Sequence, residues 1–144
     1  MSTTAKIKLF LVDDDDVFLK LLEVEFLQNT DLSVETYATG ELCIAHLEHA
    51  PNVIVLDYHL DGITKGAMNG LETLDHIKTT HPHIPVIMLS SQDKIEVAIN
   101  CMHHKASDYV VKSETAFLRL KKIITTILHQ QIIEKQLNWY MARM

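Results

Sequence analysis

Val53–Gly62 reads VIVLDYHLDG. An apolar run, rich in β-branched residues, leads straight into a carboxylate at Asp57, and polar, loop-like sequence follows. A short continuous apolar run bounded by turn residues is the pattern of a strand buried on both faces, as in parallel sheets covered by helices. An aspartate after such a strand ordinarily only caps or turns the chain. Whether Asp57 does more depends on what stands at the ends of the other strands.

Outward from this stretch, strand-like and helix-like patterns alternate. Ile7–Val12 (IKLFLV), Ser33–Tyr37, Val86–Leu89 (VIML) and Asp108–Val111 (DYVV) are short, apolar or β-branched runs. Asp16–Asn29 puts Val17, Leu21 and Val24, with Phe18, Leu22 and Phe26, along one broad helical face, and Asp15 stands where an N-cap is wanted. Gly40–Ala50 is helical up to the stop at Pro51. Leu71–Thr80 closes at His81-Pro82, and Asp93–His104 has Gln92 or Asp93 near its cap. From Thr115 the helical pattern continues almost to Met144. Strand and helix in strict alternation predict an α/β fold, a doubly wound five-stranded parallel sheet with a long C-terminal helix. Folds of this kind bind ligands outside the carboxyl ends of their strands.

The bulk properties narrow the field. The chain has 144 residues, enough for one domain with a real core. At 47% hydrophobic and 22% charged it reads as globular, not disordered, and the lack of a signal-peptide pattern and of paired cysteines makes it an expected cytoplasmic protein. A net charge of -6 argues against a broad nucleic-acid footprint. No apolar run is long enough for a membrane span, and the N-terminus lacks a signal-peptide cleavage site. Cys43 and Cys101 form no paired motif and read as buried free thiols. His46 and His49, or His103 and His104, lack a third ligand at convincing spacing and read as surface histidines.

The strand ends carry a specific set of groups. The first strand ends in Asp13 and Asp14, the third in Asp57, the fourth in Ser90 and Ser91, the fifth in Lys112. Three crowded carboxylates need a counter-charge. A hard divalent cation with oxygen ligands, Mg²⁺ above all, supplies one and suits phosphoryl transfer. A carboxylate can act as the nucleophile and form an acyl phosphate. Lys112 would offset charge on the transferring group, and the Ser90 hydroxyl could donate to it.

With these residues in view, the chain resembles the receiver domains of two-component response regulators over about Lys6 to Leu128. The resemblance rests on LVDDDD, VIVLDYHL, PVIMLSS and ASDYVVKS in that order and spacing. It implies the strand order 2-1-3-4-5. It implies Asp57 as phosphoacceptor, Asp14 as direct Mg²⁺ ligand, Asp13 as a ligand through water, and the His59 backbone carbonyl as a further ligand. Ser90 and Lys112 would contact the phosphoryl group. Ser90 and Tyr109 would form the switch pair, and His59 and Gln92 would flank the phosphoryl group. A sensor histidine kinase or histidine phosphotransfer protein would be the donor, with the output a protein–protein contact and a homodimer possible. On this reading the chain is no enzyme beyond its own phosphorylation and autodephosphorylation, and it contacts neither nucleic acid nor membrane directly. Two alternatives stay open. A degenerate receiver would act as a binding module. An aspartyl-phosphate phosphatase would usually carry a second acid where His59 stands.

Departures from the family pattern are local. Lys112-Ser113 replaces the usual Lys-Pro with its cis peptide, so either the cis bond persists or the loop differs. The loop from Asp61 to Asn69 is longer than usual and lacks proline, with Asn69-Gly70 in place of Asp-Gly. It reads as a surface insertion, a lid or a partner contact. The receiver unit is expected over residues 1–128 and a helical extension over 129–144. In that extension Ile133, Leu137, Tyr140 and Met144 repeat at spacings of four, three and four. The stripe would fold back on the domain or fray, oligomerise, or lead to an output domain.

Overall fold

The computed structural model of the chain describes residues 6–62 and 65–144. Each central strand is apolar on both faces because both faces are covered. Leu9, Leu11, Val53, Val55, Ile87 and Leu89 point to one side, and Phe10, Val12, Ile54, Leu56, Val86 and Met88 to the other. The strands are β1 (Ile7–Val12), β2 (Leu32–Tyr37), β3 (Val53–Asp57), β4 (Val86–Ser90) and β5 (Asp108–Val111). All pairs are parallel, in the order β2-β1-β3-β4-β5. Helices α1 (Asp16–Phe26) and α5 (Ala116–Ala142) cover one face; α2 (Gly40–Ala45), α3 (Gly70–Thr80) and α4 (Ile95–His103) cover the other. The expected fold class and strand order are those observed. Cys43 and Cys101 are buried free thiols.

Several element limits differ from expectation for local reasons. Asp15 caps α1 as expected, its carboxylate accepting from the Val17 and Phe18 amides. The helix ends at Phe26, and its buried row is Leu19, Leu22 and Phe26. Val17, Leu21 and Val24 are exposed, at 72%, 60% and 48%. A helix over a sheet buries only its narrow inner stripe, and the apolar arc of α1 is wider than that. Helix α2 stops at Ala45, and Leu47–His49 forms a 3₁₀ turn. Ala50 then takes a left-handed conformation (φ 55°) before Pro51, which disfavours helix in the preceding residue. Helix α4 starts at Ile95, with no side chain capping it.

Helix α5 does not fold back at its end. Past Gln131 every residue is exposed, and the helix runs on to Ala142. Among the described residues no helix is long and apolar enough to cross a membrane.

Candidate functional site: the acidic rim at the strand ends

Register brings the rim residues together. Val12 pairs with Leu56, so the next residues, Asp13 and Asp57, lie side by side. Ser90 pairs with Val111, placing Lys112 one step beyond, and the Lys112 amide donates to the Ser90 carbonyl at 2.8 Å. Asp13, Asp57 and Ser90 are all buried. The Lys112 ammonium reaches in between the carboxylates, 2.8 Å from Asp13 Oδ2 and 3.5 Å from Asp57 Oδ2.

One ammonium does not neutralise the site. Burial, then the Asp13 carboxylate, pushes Asp57 up to about 7, against the opposing pull of Lys112 and the His59 amide. Burial and Asp13 also raise Asp14, although Lys112 and the Gly62 amide oppose them. Burial pulls Lys112 down, but Asp13 and Asp57 outweigh it, so the ammonium is held more firmly than usual. Asp13 Oδ1 accepts from the Asp15 amide at 2.9 Å. Its Oδ2 sits beside the ammonium outside hydrogen-bond angles and has no donor among the described residues. Carboxylate oxygens of Asp13, Asp14 and Asp57 lie within 4.8 Å of one another. A spare buried lone pair, three oxygens at this spacing and excess negative charge fit a hard divalent cation.

The histidines go elsewhere. His49 Nδ1 lies 2.6 Å from Glu35, and His104 Nδ1 lies 2.7 Å from Asp75. His46 stacks on Tyr37. Among the described residues the Asp13–Asp14–Asp57 group is the one cluster spaced to hold a metal ion.

Two arrangements escaped the sequence. The Lys112 ammonium lies over the Phe18 ring, 4.9 Å from its centroid, so a residue that reads only as core on α1 also touches the site lysine. Gln92 links Ser90 and Tyr109. Its amide donates to Ser90 Oγ at 3.0 Å, and its carbonyl accepts from the Tyr109 hydroxyl at 2.5 Å. No periodicity signals the Phe18–Lys112 or the Gln92–Tyr109 contact, because each joins separate elements, whereas Gln92 and Ser90 are two residues apart.

The long loop is tied at its far end. The Met68 amide donates to Glu41 at 2.9 Å, and Asn69 caps α3 in a reciprocal capping box with Glu72. Gly70 then donates to the Tyr58 carbonyl at 3.0 Å, and a β-carbon there would overlap the Asp57–Tyr58 backbone. The middle of the insertion, residues 63–64, lies outside the described residues. At the departure on β5, no cis peptide occurs among the described residues, so the loop takes its own course. Ser113 Oγ accepts from the Thr115 amide at 3.3 Å.

The family model of the response regulator receiver domain matches residues 9–125. The chain belongs to this family. It is 33% identical to the nitrogen assimilation regulatory protein NtrX of Azorhizobium caulinodans over 103 residues, 71% of this chain and 22% of the relative. It is 32% identical to the transcriptional regulator NtrC of Klebsiella pneumoniae over 104 residues, 72% of this chain and 21% of that one. This chain thus spans about a fifth of the length of these relatives. Among solved structures, the BeF3-activated receiver domain of the Thermotoga maritima regulator DrrB superposes with a TM-score of 0.74 at 30% identity, over 86% of this chain and 98% of that one. The receiver domain of NtrX from Brucella abortus gives 0.73 at 28%, over 84% and 98%. Receiver domains are regulatory units, and this one is a receiver domain of a two-component response regulator.

Proposed function

We propose that the chain accepts a phosphoryl group on Asp57 from a phosphohistidine partner and that the acyl phosphate changes its protein contacts. The observation carrying this reading is the Lys112 ammonium between two buried carboxylates, 2.8 Å from Asp13 and 3.5 Å from Asp57. An Asp57 oxygen attacks phosphorus, the P–N bond of the donor breaks, and the imidazole leaves with the electron pair. Lys112 swings from Asp57 to an oxygen of the new phosphate, whose charge replaces that of the carboxylate. Asp14, Asp57 and the His59 carbonyl would hold Mg²⁺, with Asp13 contributing through water. The cation, when bound, supplies the positive charge that phosphoryl transfer needs.

The switch would act through Gln92. If the Ser90 hydroxyl turns to donate to a phosphate oxygen, it releases the Gln92 amide. The Gln92 carbonyl is where the half-buried Tyr109 hydroxyl is anchored. Charge at Asp57 would thus shift the segment leading into α4 and the position of Tyr109.

The donor must cover the rim to reach Asp57. The exposed row Val17, Leu21 and Val24 on α1 starts beside the rim and offers an apolar surface for a histidine kinase or phosphotransfer protein. We assign residues 1–128 to the receiver unit and 129–144 to its helical extension.

The test is labelling by a small acyl-phosphate donor, read as retarded migration on a phosphate-affinity gel. Labelling should need Mg²⁺ and vanish in Asp57→Asn. Labelling that persists in Asp57→Asn overturns the assignment of the acceptor. Absence of both labelling and Mg²⁺ binding makes the chain a receiver that signals by contact alone.

A further inference from the structure

The backbone alone does little to aim Lys112. Its amide donates to the Ser90 carbonyl at 2.8 Å, but Ser113, Glu114 and Thr115, which follow, are all exposed. No cis peptide braces the turn among the described residues. The ammonium is therefore carried on a flexible four-carbon stem. Two carboxylates attract it unequally, at 2.8 Å and 3.5 Å. A third neighbour carries no charge. The ammonium stands over the face of the Phe18 ring, 4.9 Å from its centroid, within reach of a cation–π contact. Only 17% of the lysine side chain is exposed, so water screens that contact poorly. The start of α1 ties the ring to the same site. Asp13 Oδ1 accepts from the Asp15 amide at 2.9 Å, and the Asp15 carboxylate accepts from the Phe18 amide at 3.2 Å. Asp13 Oδ2 faces the ammonium. One carboxylate thus holds both the helix that carries the ring and the cation over it. Phe18 itself is half-buried against the core, whereas Val17 beside it and Leu21 one turn on are exposed.

We propose that Phe18 is a positioning residue for phosphoryl transfer to Asp57: its ring face holds the Lys112 ammonium in the site before and after the acyl phosphate forms. The proposal rests on Asp57 being the acceptor. A ring face suits this task because it attracts the cation without engaging its hydrogens as a carboxylate oxygen does. An ammonium has three N–H donors. Those turned to Asp13 and Asp57 can pass to a phosphate oxygen while the ring contact persists, since the attraction extends to about 6 Å from the centroid. Phe18→Leu would fill much of the same core space and leave the stem free to wander.

The test replaces Phe18, by nonsense suppression in the full chain, with phenylalanines carrying one, two and three fluorines. Each fluorine drains negative charge from the ring face and leaves its shape nearly unchanged, so the melting temperature should hold. The readout is the rate of labelling by a small acyl-phosphate donor, in which an Asp57 oxygen bonds to phosphorus and the donor's carboxylate leaves with the electron pair. The rate should fall with each fluorine, by about threefold to tenfold over the series. Phe18→Leu should be as slow as the trifluorinated protein, and Phe18→Tyr should stay within about twofold of the unsubstituted chain. A second readout needs neither metal nor donor. The side-chain NMR signal of Lys112, assigned by its loss in Lys112→Arg, should lie upfield through the ring current and return downfield in Phe18→Leu. Equal rates across the fluorine series, in a chain that labels before substitution, overturn the role of Phe18 and leave Asp57 as acceptor. A Lys112 signal that Phe18→Leu does not move overturns the contact itself. An unsubstituted chain that does not label, with the shifted signal present, overturns the reading of Asp57 and the role of Phe18 with it.

Discussion

Burial and the Asp13 carboxylate push Asp57 up to about 7, so the metal-free carboxyl keeps its proton well above the usual carboxylate range. Any cation that uses the Asp57 carboxylate must displace that proton. Mg²⁺ affinity should therefore rise with pH up to about 7 and level off above it, approaching tenfold per unit on the acid side. Calorimetry in buffers of different ionisation enthalpy should detect proton release at about pH 6 and much less at about pH 8. The same shift affects stability. The folded state keeps the Asp57 proton to a higher pH than the unfolded chain, whose carboxyl titrates near 3.8. The stabilisation from that proton is complete below about 3.8 and is lost as pH rises to about 7. Asp57→Asn removes the charge without removing volume. It should raise the metal-free melting temperature at about pH 8, by roughly 3 °C per kcal/mol of relieved repulsion, and the gain should shrink at about pH 5. A variant with no gain in alkaline buffer would show that Lys112 already neutralises the pair.

At the scale of elements, the start of α3 sets where β3 ends. Gly70 leaves no room for a side chain against the Asp57–Tyr58 backbone, and Asn69 with Glu72 closes the helix end. Asn69→Ala removes half of the capping box and should cost about 1 kcal/mol. Gly70→Ala must displace the Asp57 peptide itself. It should cost about 1–3 kcal/mol and also slow small-donor labelling, whereas Asn69→Ala should affect stability alone. Urea titration alongside labelling rates separates the two. On the other side of the site, Tyr109→Phe cuts the tie to the Gln92 carbonyl. Labelling rates should stay within about twofold, while amide exchange in the segment from Gln92 to Ile95 speeds up in the unphosphorylated protein. Unchanged exchange would remove Gln92 as the link between Ser90 and Tyr109.

On the scale of the whole molecule, three apolar rows among the described residues remain exposed after the two cores are filled. They are Val17, Leu21 and Val24 on α1, Ile95, Ile99 and Met102 on α4, and the stripe on the α5 extension. Of these, the α1 row begins at the acidic rim. Leu21→Glu should therefore cut phosphoryl transfer from a phosphohistidine protein by more than about tenfold, since a charge in a docking core costs more than about 1.4 kcal/mol. Labelling by a small acyl phosphate, which needs no docking, should be unchanged. Equal loss with both donors would mean that the substitution disturbs the site itself, through neighbouring Phe18 and Lys112.

Much of the fold was legible in the sequence because a parallel sheet covered on both faces demands unbroken apolar strands. Runs such as VIVL and VIML, too short for helices and closed by polar residues, meet that demand directly. Asp13, Asp14, Asp57, Ser90 and Lys112 were legible as candidates for the same reason: each stands at the end of such a run. Other features needed the tertiary structure. The apolar arc of α1 is broader than the stripe a sheet can bury, so periodicity alone could not separate buried Leu19 from exposed Val17 and Leu21. The stripe on the extension was visible in sequence, but which way it faces depended on the path of α5 past the domain. Phe18 under Lys112, and the Tyr109 hydroxyl on the Gln92 carbonyl, are contacts between separate elements, which no local pattern records. The sequence by itself determined the order of elements and the chemistry at their ends, because burial and strand termination are local demands. Only the tertiary structure decided which apolar faces stay open and how one ammonium is shared by two carboxylates, because those depend on distances between segments that meet only once the sheet is assembled.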